Sequence, residues 1–70
     1  MEGYENLTDQ QRAIFARTHV QHQEAMGLEK SKEYGIQNVK ELRWDDEENC
    51  LKVYFANGDW WHYTPNGQWY

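Results

Sequence analysis

The chain has 70 residues, a formal net charge of −5 and one cysteine, which leaves room for a single domain over residues 1–70. A chain this small buries only about 60 % of the surface its unfolded form exposes, and such scaffolds rarely hold more than roughly 3–5 kcal/mol without a staple. A lone Cys50 excludes an internal disulfide, no apolar run approaches the roughly 20 residues of a membrane helix, and twelve acids against seven bases oppose binding to a nucleic-acid backbone, which attracts positive charge.

Residues 8–34 read as helix. Leu7-Thr8-Asp9-Gln10-Gln11 holds a start signal: the Thr8 hydroxyl can accept the amide three residues on, Gln11 can reach back, and Asp9 suits the positive helix end. Ile14, Val20, Met26 and Leu28, with Phe15, Ala16, Thr18 and Ala25 between them, form a loose apolar stripe near helical spacing. The firm span is 8–26. Gly27 either ends the helix or weakens it by about 1 kcal/mol. Gly35, preceded by Lys30 and Lys32, is the stronger stop.

Residues 39–70 read as four strands, at about 39–45, 50–56, 59–64 and 69–70. Asn57-Gly58 is a strong hairpin signal, since a two-residue type I′ turn needs positive φ at both positions. With those two as the loop, Phe55 faces Trp60, Val53 faces His62, Leu51 faces Thr64, and Tyr54 meets Trp61 on the other side. A turn over Pro65–Gln68 sets Trp69 opposite Thr64 and Tyr70 opposite Tyr63. The strand from Val39 pairs so that Leu42 and Trp44 face inward, because a slip of one residue would bury Glu41 and Arg43; Asp46–Asn49 is then a four-residue loop. The expected fold is α+β, an N-terminal helix packed on one face of a four-stranded antiparallel meander, over a core of Leu42, Trp44, Leu51, Val53, Phe55, Trp60 and Trp69.

Eleven residues are aromatic and seven of these fall in the last 17 positions, more than a core this small requires. On the expected register Tyr54, Trp61, Tyr63 and Tyr70 form a second, outer aromatic face that one helix cannot cover. Such side chains dominate interface hot spots. The competing readings are cross-strand pairs that only stabilise the sheet and a homodimer that packs these faces together. A stacking platform for single-stranded nucleic acid would need a basic groove, and the sheet half carries six acids and three bases. Asp45-Asp46-Glu47-Glu48 reads as a solvated turn or as a contact for a basic partner, where opposite charge speeds encounter and sets specificity. It lacks the alternating ligands and central glycine of a calcium loop.

His19, His22, Cys50 and His62 together supply donors that zinc accepts, but no pair shows finger spacing and His62 is expected on the buried face, so no metal or other cofactor is assigned. Cys50 and His62 are likewise expected on opposite faces, which disarms them as a nucleophile pair. No serine elbow or phosphate loop is present, and a chain this short leaves little room for a pocket of about 300 Å³, so no enzymatic activity is expected. In size, acidity and aromatic C-terminal end, the chain is similar to small accessory proteins that bacteriophages and prophages make to bind host enzymes. That likeness implies an inhibitor of a bacterial nucleic-acid-handling enzyme, and it transfers no residue. The expected function is a small acidic protein-binding module that uses Tyr54, Trp61, Tyr63 and Tyr70 flanked by Asp45, Asp46, Glu47 and Glu48. The alternative is a structural homo-oligomer. Met1-Glu2-Gly3-Tyr4-Glu5 shows neither the basic start nor the apolar middle of a signal peptide, and one thiol suits a reducing compartment, so the expected location is cytoplasmic.

Overall fold

The computed structural model describes residues 1–70. A 3₁₀ turn at Tyr4–Asn6 leads into helix α1, Asp9–Met26, then helix α2, Leu28–Ser31, and two further 3₁₀ turns at Lys32–Tyr34 and Ile36–Asn38. Strands β1, Val39–Asp45, β2, Cys50–Phe55, and β3, Trp60–Tyr63, follow as one antiparallel sheet in the order β1-β2-β3. Helices against an antiparallel sheet match the expected class, but the sheet has three strands and not four. Where the fourth was expected, residues 69–70, only a single bridge forms, between Tyr63 and Trp69.

The start of α1 follows its local chemistry. Thr8 Oγ1 accepts the Gln11 amide at 3.1 Å and Gln11 Oε1 accepts the Thr8 amide at 2.9 Å, so two end donors are satisfied reciprocally. The helix does not run to residue 34: Gly27 takes φ 85° and ends it. The buried face consists of Ile14, Phe15, Thr18, His19 and His22, whereas Val20 and Leu28 are exposed at 54 % and 79 %. Val20 stands six residues from Ile14, about 240° around the helix, so the two cannot share a stripe. The true stripe carries two histidines and a threonine, which hid it from an apolar reading.

Leu7, Phe15, Tyr34, Val39, Leu42, Leu51, Val53, Phe55 and Tyr63 form the core. β1 and β2 pair as expected, with Trp44 opposite Leu51, Leu42 opposite Val53, and Asp46–Asn49 as the loop between Asp45 and Cys50. A bulge between Val39 and Glu41 lets both Val39 and Leu42 point inward, although strict alternation would separate them.

The β2–β3 register is shifted by one residue from expectation: Tyr54 pairs with Trp60, Val53 with Trp61, Lys52 with His62, and Leu51 with Tyr63. The turn carries the shift. Phe55 and Asp59 are bonded by the Phe55 amide at 2.9 Å, which leaves a three-residue loop, Ala56-Asn57-Gly58. Gly58 has φ 94° while Asn57 has no positive φ, so the loop is a type I turn closed by a left-handed glycine and not the two-residue type I′ form. Pro65-Asn66-Gly67 repeats the device: the Thr64 amide bonds the Gln68 carbonyl at 2.8 Å and Gly67 has φ 86°. The first shift moves Trp61 and Tyr63 to the inner face and Trp60 and His62 to the outer. The second cancels the first, so Trp69 faces inward and Tyr70 outward, as expected.

Both sheet edges are occupied. Glu2 bridges to Glu41 along β1 through bonds of 2.9 and 2.8 Å, and Tyr70 exchanges two main-chain bonds with His62 along β3. Such cover blunts edge-to-edge pairing. No helix is long and apolar enough to cross a membrane.

Candidate functional site

The outer sheet face has no helix over it. Across it runs a continuous aromatic row: Tyr54 and Trp60 stack with ring centroids 5.6 Å apart, Trp60 meets the His62 ring at 4.9 Å, and His62 stacks on Tyr70 at 4.3 Å with rings 4° from parallel. Trp60 and Tyr70 are exposed at 47 % and 60 %. Arg43 lies over the Tyr54 ring and Lys52 near the Trp60 ring. Both cations are paired: Arg43 with Glu41 at 2.8 Å, and Lys52 with Asp45 at 3.0 Å and Glu48 at 3.7 Å.

Of the expected aromatic site, Tyr54 and Tyr70 are therefore on this face, while Trp61 and Tyr63 are on the other. Tyr63 is fully buried, its hydroxyl 2.8 Å from His22 Nδ1, and burial pushes its phenol well above the ordinary range. Trp61 packs edge-on against His22 at 4.5 Å, and Trp69 stacks on the same ring at 5.0 Å. Trp60 and His62 take the outer places instead. The repeated Asn-Gly step at 57–58 and 66–67 was the available signal, because each lies where a three-residue loop also fits.

The acidic turn splits by function. Asp45 Oδ1 accepts the Glu47 and Glu48 amides at 2.9 and 3.1 Å, and the Lys52 hydrogen bond, with the Glu48 amide, holds its carboxyl below the usual range. Glu48 turns back toward Lys52 and His62. Asp46 and Glu47 are exposed.

The four potential zinc donors, to which the sequence reading assigned no metal, divide across the sheet. His19 and His22 are buried beneath the inner face, bound to the Tyr34 carbonyl at 2.7 Å and to Tyr63; desolvation, then the neighbouring His19, lowers the His22 pKa to about 4. Cys50 and His62 instead meet on the outer side, contrary to the expected register, and Glu48 joins them with all donor atoms within 4.8 Å of one another. The set has the composition of a nucleophile, base and acid, but its electrostatics run the wrong way for catalysis. Burial, then Glu48 and Asp45, pushes the Cys50 thiol up, whereas a reactive cysteine needs a positive neighbourhood.

The fold does have room for pockets above the size expected of it. Hollows of about 510 Å³ and about 460 Å³ open beside the N-terminal turn, the first lined by Glu2, Glu5, Glu41 and Arg43, the second by Tyr4, Phe15 and Ile36. Neither gathers a nucleophile with a base. No protein-family model, curated protein or solved structure matches the chain.

Proposed function

We propose that this chain is a small acidic protein-binding module whose contact surface is the outer sheet face, centred on Tyr54, Trp60, His62 and Tyr70. The observation that carries the reading is the uncovered, pre-stacked aromatic row. Rigid aromatic side chains lose little entropy on binding and supply most hot-spot energy, and exposed aromatic patches on small chains mark interaction sites. The covered edges favour docking on the face over strand addition. Asp46 and Glu47 at its rim, with the −5 charge, favour a basic partner, since complementary charge steers encounter. A basic partner fits inhibition of a nucleic-acid-handling enzyme in the cytoplasm, and a binding role without enzymatic activity fits the inactive setting of Cys50.

The test uses Trp60→Ser with Tyr70→Ser, against Leu28→Ser on the exposed helix side as control. The double variant keeps its circular dichroism and its melting temperature within a few degrees, and loses a stoichiometric protein partner that the wild type and the control both retain from bacterial lysate. Equal retention by all three chains places the contact elsewhere. A homodimer that the double variant dissociates, with no other protein bound, replaces this reading with the structural one.

A further inference from the structure

The geometry points to a zinc site formed by the Glu48 carboxylate, the Cys50 thiolate and the His62 imidazole. Their donor atoms lie within 4.8 Å of one another, and tetrahedral zinc with ordinary bond lengths holds its donors roughly 3.3–3.6 Å apart. Glu48 Oε2 and His62 Nε2 already stand 3.5 Å apart, within that span, so the remaining adjustment lies between Cys50 and these two.

Two features beyond proximity support the assignment. The first is the orientation of His62. Its Nδ1 lies 3.3 Å from the main-chain oxygen of Tyr70 and its Nε2 lies 3.5 Å from Glu48 Oε2. With Nδ1–H donated to Tyr70, the arrangement that metal-bound histidines commonly show, Nε2 is left facing the Glu48 carboxylate, where a proton or a metal ion fits between the two. The second is the setting of Cys50, free and fully buried on the sheet side that carries Lys52, Asp45 and Glu48, not among the core side chains. Thiolate, imidazole and carboxylate together select zinc over magnesium or calcium.

Binding displaces the thiol proton to solvent, forms the zinc–sulfur bond, and turns Glu48 from Lys52 to the ion while Asp45 keeps Lys52 at 3.0 Å. The two anionic ligands neutralise the ion, and the fourth position stays open to water. The ion ties the β1–β2 loop to β3, the cross-link that a chain without a disulfide otherwise lacks.

The experiment adds cobalt(II), then zinc, to the metal-free full chain. Cobalt is expected to give one equivalent of thiolate-to-metal charge-transfer absorption with the visible bands of a tetrahedral ion, and zinc to abolish both. Zinc at one hundred times its dissociation constant raises the melting temperature by on the order of 10 °C. Magnesium does neither. Cys50→Ser removes the charge-transfer band. Because Cys50 is fully buried and that variant can fail to fold, His62→Ala and Glu48→Gln on the outer side serve as independent variants. Each weakens zinc by about a hundredfold or more, given that second-shell partners alone are worth about 10–100-fold. His22→Gln leaves zinc affinity unchanged. A folded wild-type chain with no cobalt–thiolate band overturns the site, and so does a band that survives both His62→Ala and Glu48→Gln.

Discussion

Thr18 and His22 show how polar side chains behave when a thin core must include them. Thr18 is fully buried and its hydroxyl has no hydrogen-bond partner, so its desolvation goes uncompensated. Thr18→Val keeps the shape and removes the orphan. The expected gain is about 1 kcal/mol, read as a melting temperature higher by about 4–8 °C in a chain this size; an unchanged or lower value means the hydroxyl is satisfied after all. His22 is stabilised as the neutral ring, held by Tyr63 and the indoles of Trp61 and Trp69. Its folded pKa of about 4 lies below its ordinary 6.5. Between those values the unfolded chain holds the extra proton, so the contribution is complete above pH 6.5 and falls toward pH 4 by about 1.4 kcal/mol per pH unit. Urea unfolding at pH 7 and pH 5 is expected to show that loss in the wild type, and a flatter dependence in His22→Gln. Equal slopes in both chains would assign the acid sensitivity to another group.

At the scale of elements, two loops set the faces of the sheet. Gly58 and Gly67 stand in the left-handed region with nothing within 4 Å of an added Cβ, so alanine at either meets strain in φ and no clash. Gly58→Ala and Gly67→Ala are each expected to destabilise by about 1–2 kcal/mol. Gly58→Ala is the more informative, because residue 58 is left-handed both in this loop and in the two-residue type I′ alternative. The substitution is therefore expected to cost stability without moving the register, whereas a slip of one step would exchange Trp60 and His62 with Trp61 and Tyr63. Tryptophan fluorescence reports this: a merely strained hairpin keeps its emission maximum, while a slipped one shifts it. Thr8 and Gln11 were fully legible because a capping box needs only its own four residues. The β1–β2 loop was legible because only one register buries Leu42 and Trp44. The β2–β3 register was not, since Trp60-Trp61-His62-Tyr63 offers a bulky side chain to either face.

At the scale of the whole molecule, the buried core lies on one side of the sheet and the proposed contact surface on the other. Tyr63→Ala removes a fully buried ring that contacts Phe15 and His22. Its expected cost of about 3–5 kcal/mol equals what a chain of this size holds, so this variant is expected to be unfolded at 25 °C by circular dichroism. Trp60→Ser with Tyr70→Ser removes comparable aromatic surface from the uncovered side and is expected to unfold within a few degrees of the wild type. If both variants unfold alike, the outer row is a structural element and its role in binding falls.

The sequence by itself determined the order of elements, the helix start at Thr8, and the presence of more aromatic surface than a core needs, because each rests on neighbours a few residues apart or on composition; that α1 ends at Gly27 and not at Gly35 was left to the structure. Tertiary structure alone decided which aromatic residues form that surplus. The three-residue loop at Ala56-Asn57-Gly58 competes with a two-residue one at Asn57-Gly58, and both use a left-handed Gly58. The choice falls to packing, which places Tyr63 against His22 and buries both. The same shift carried His62 across the sheet to Cys50 and Glu48, so the candidate zinc site and the outer aromatic row follow from one pairing that no local rule separates from its neighbour.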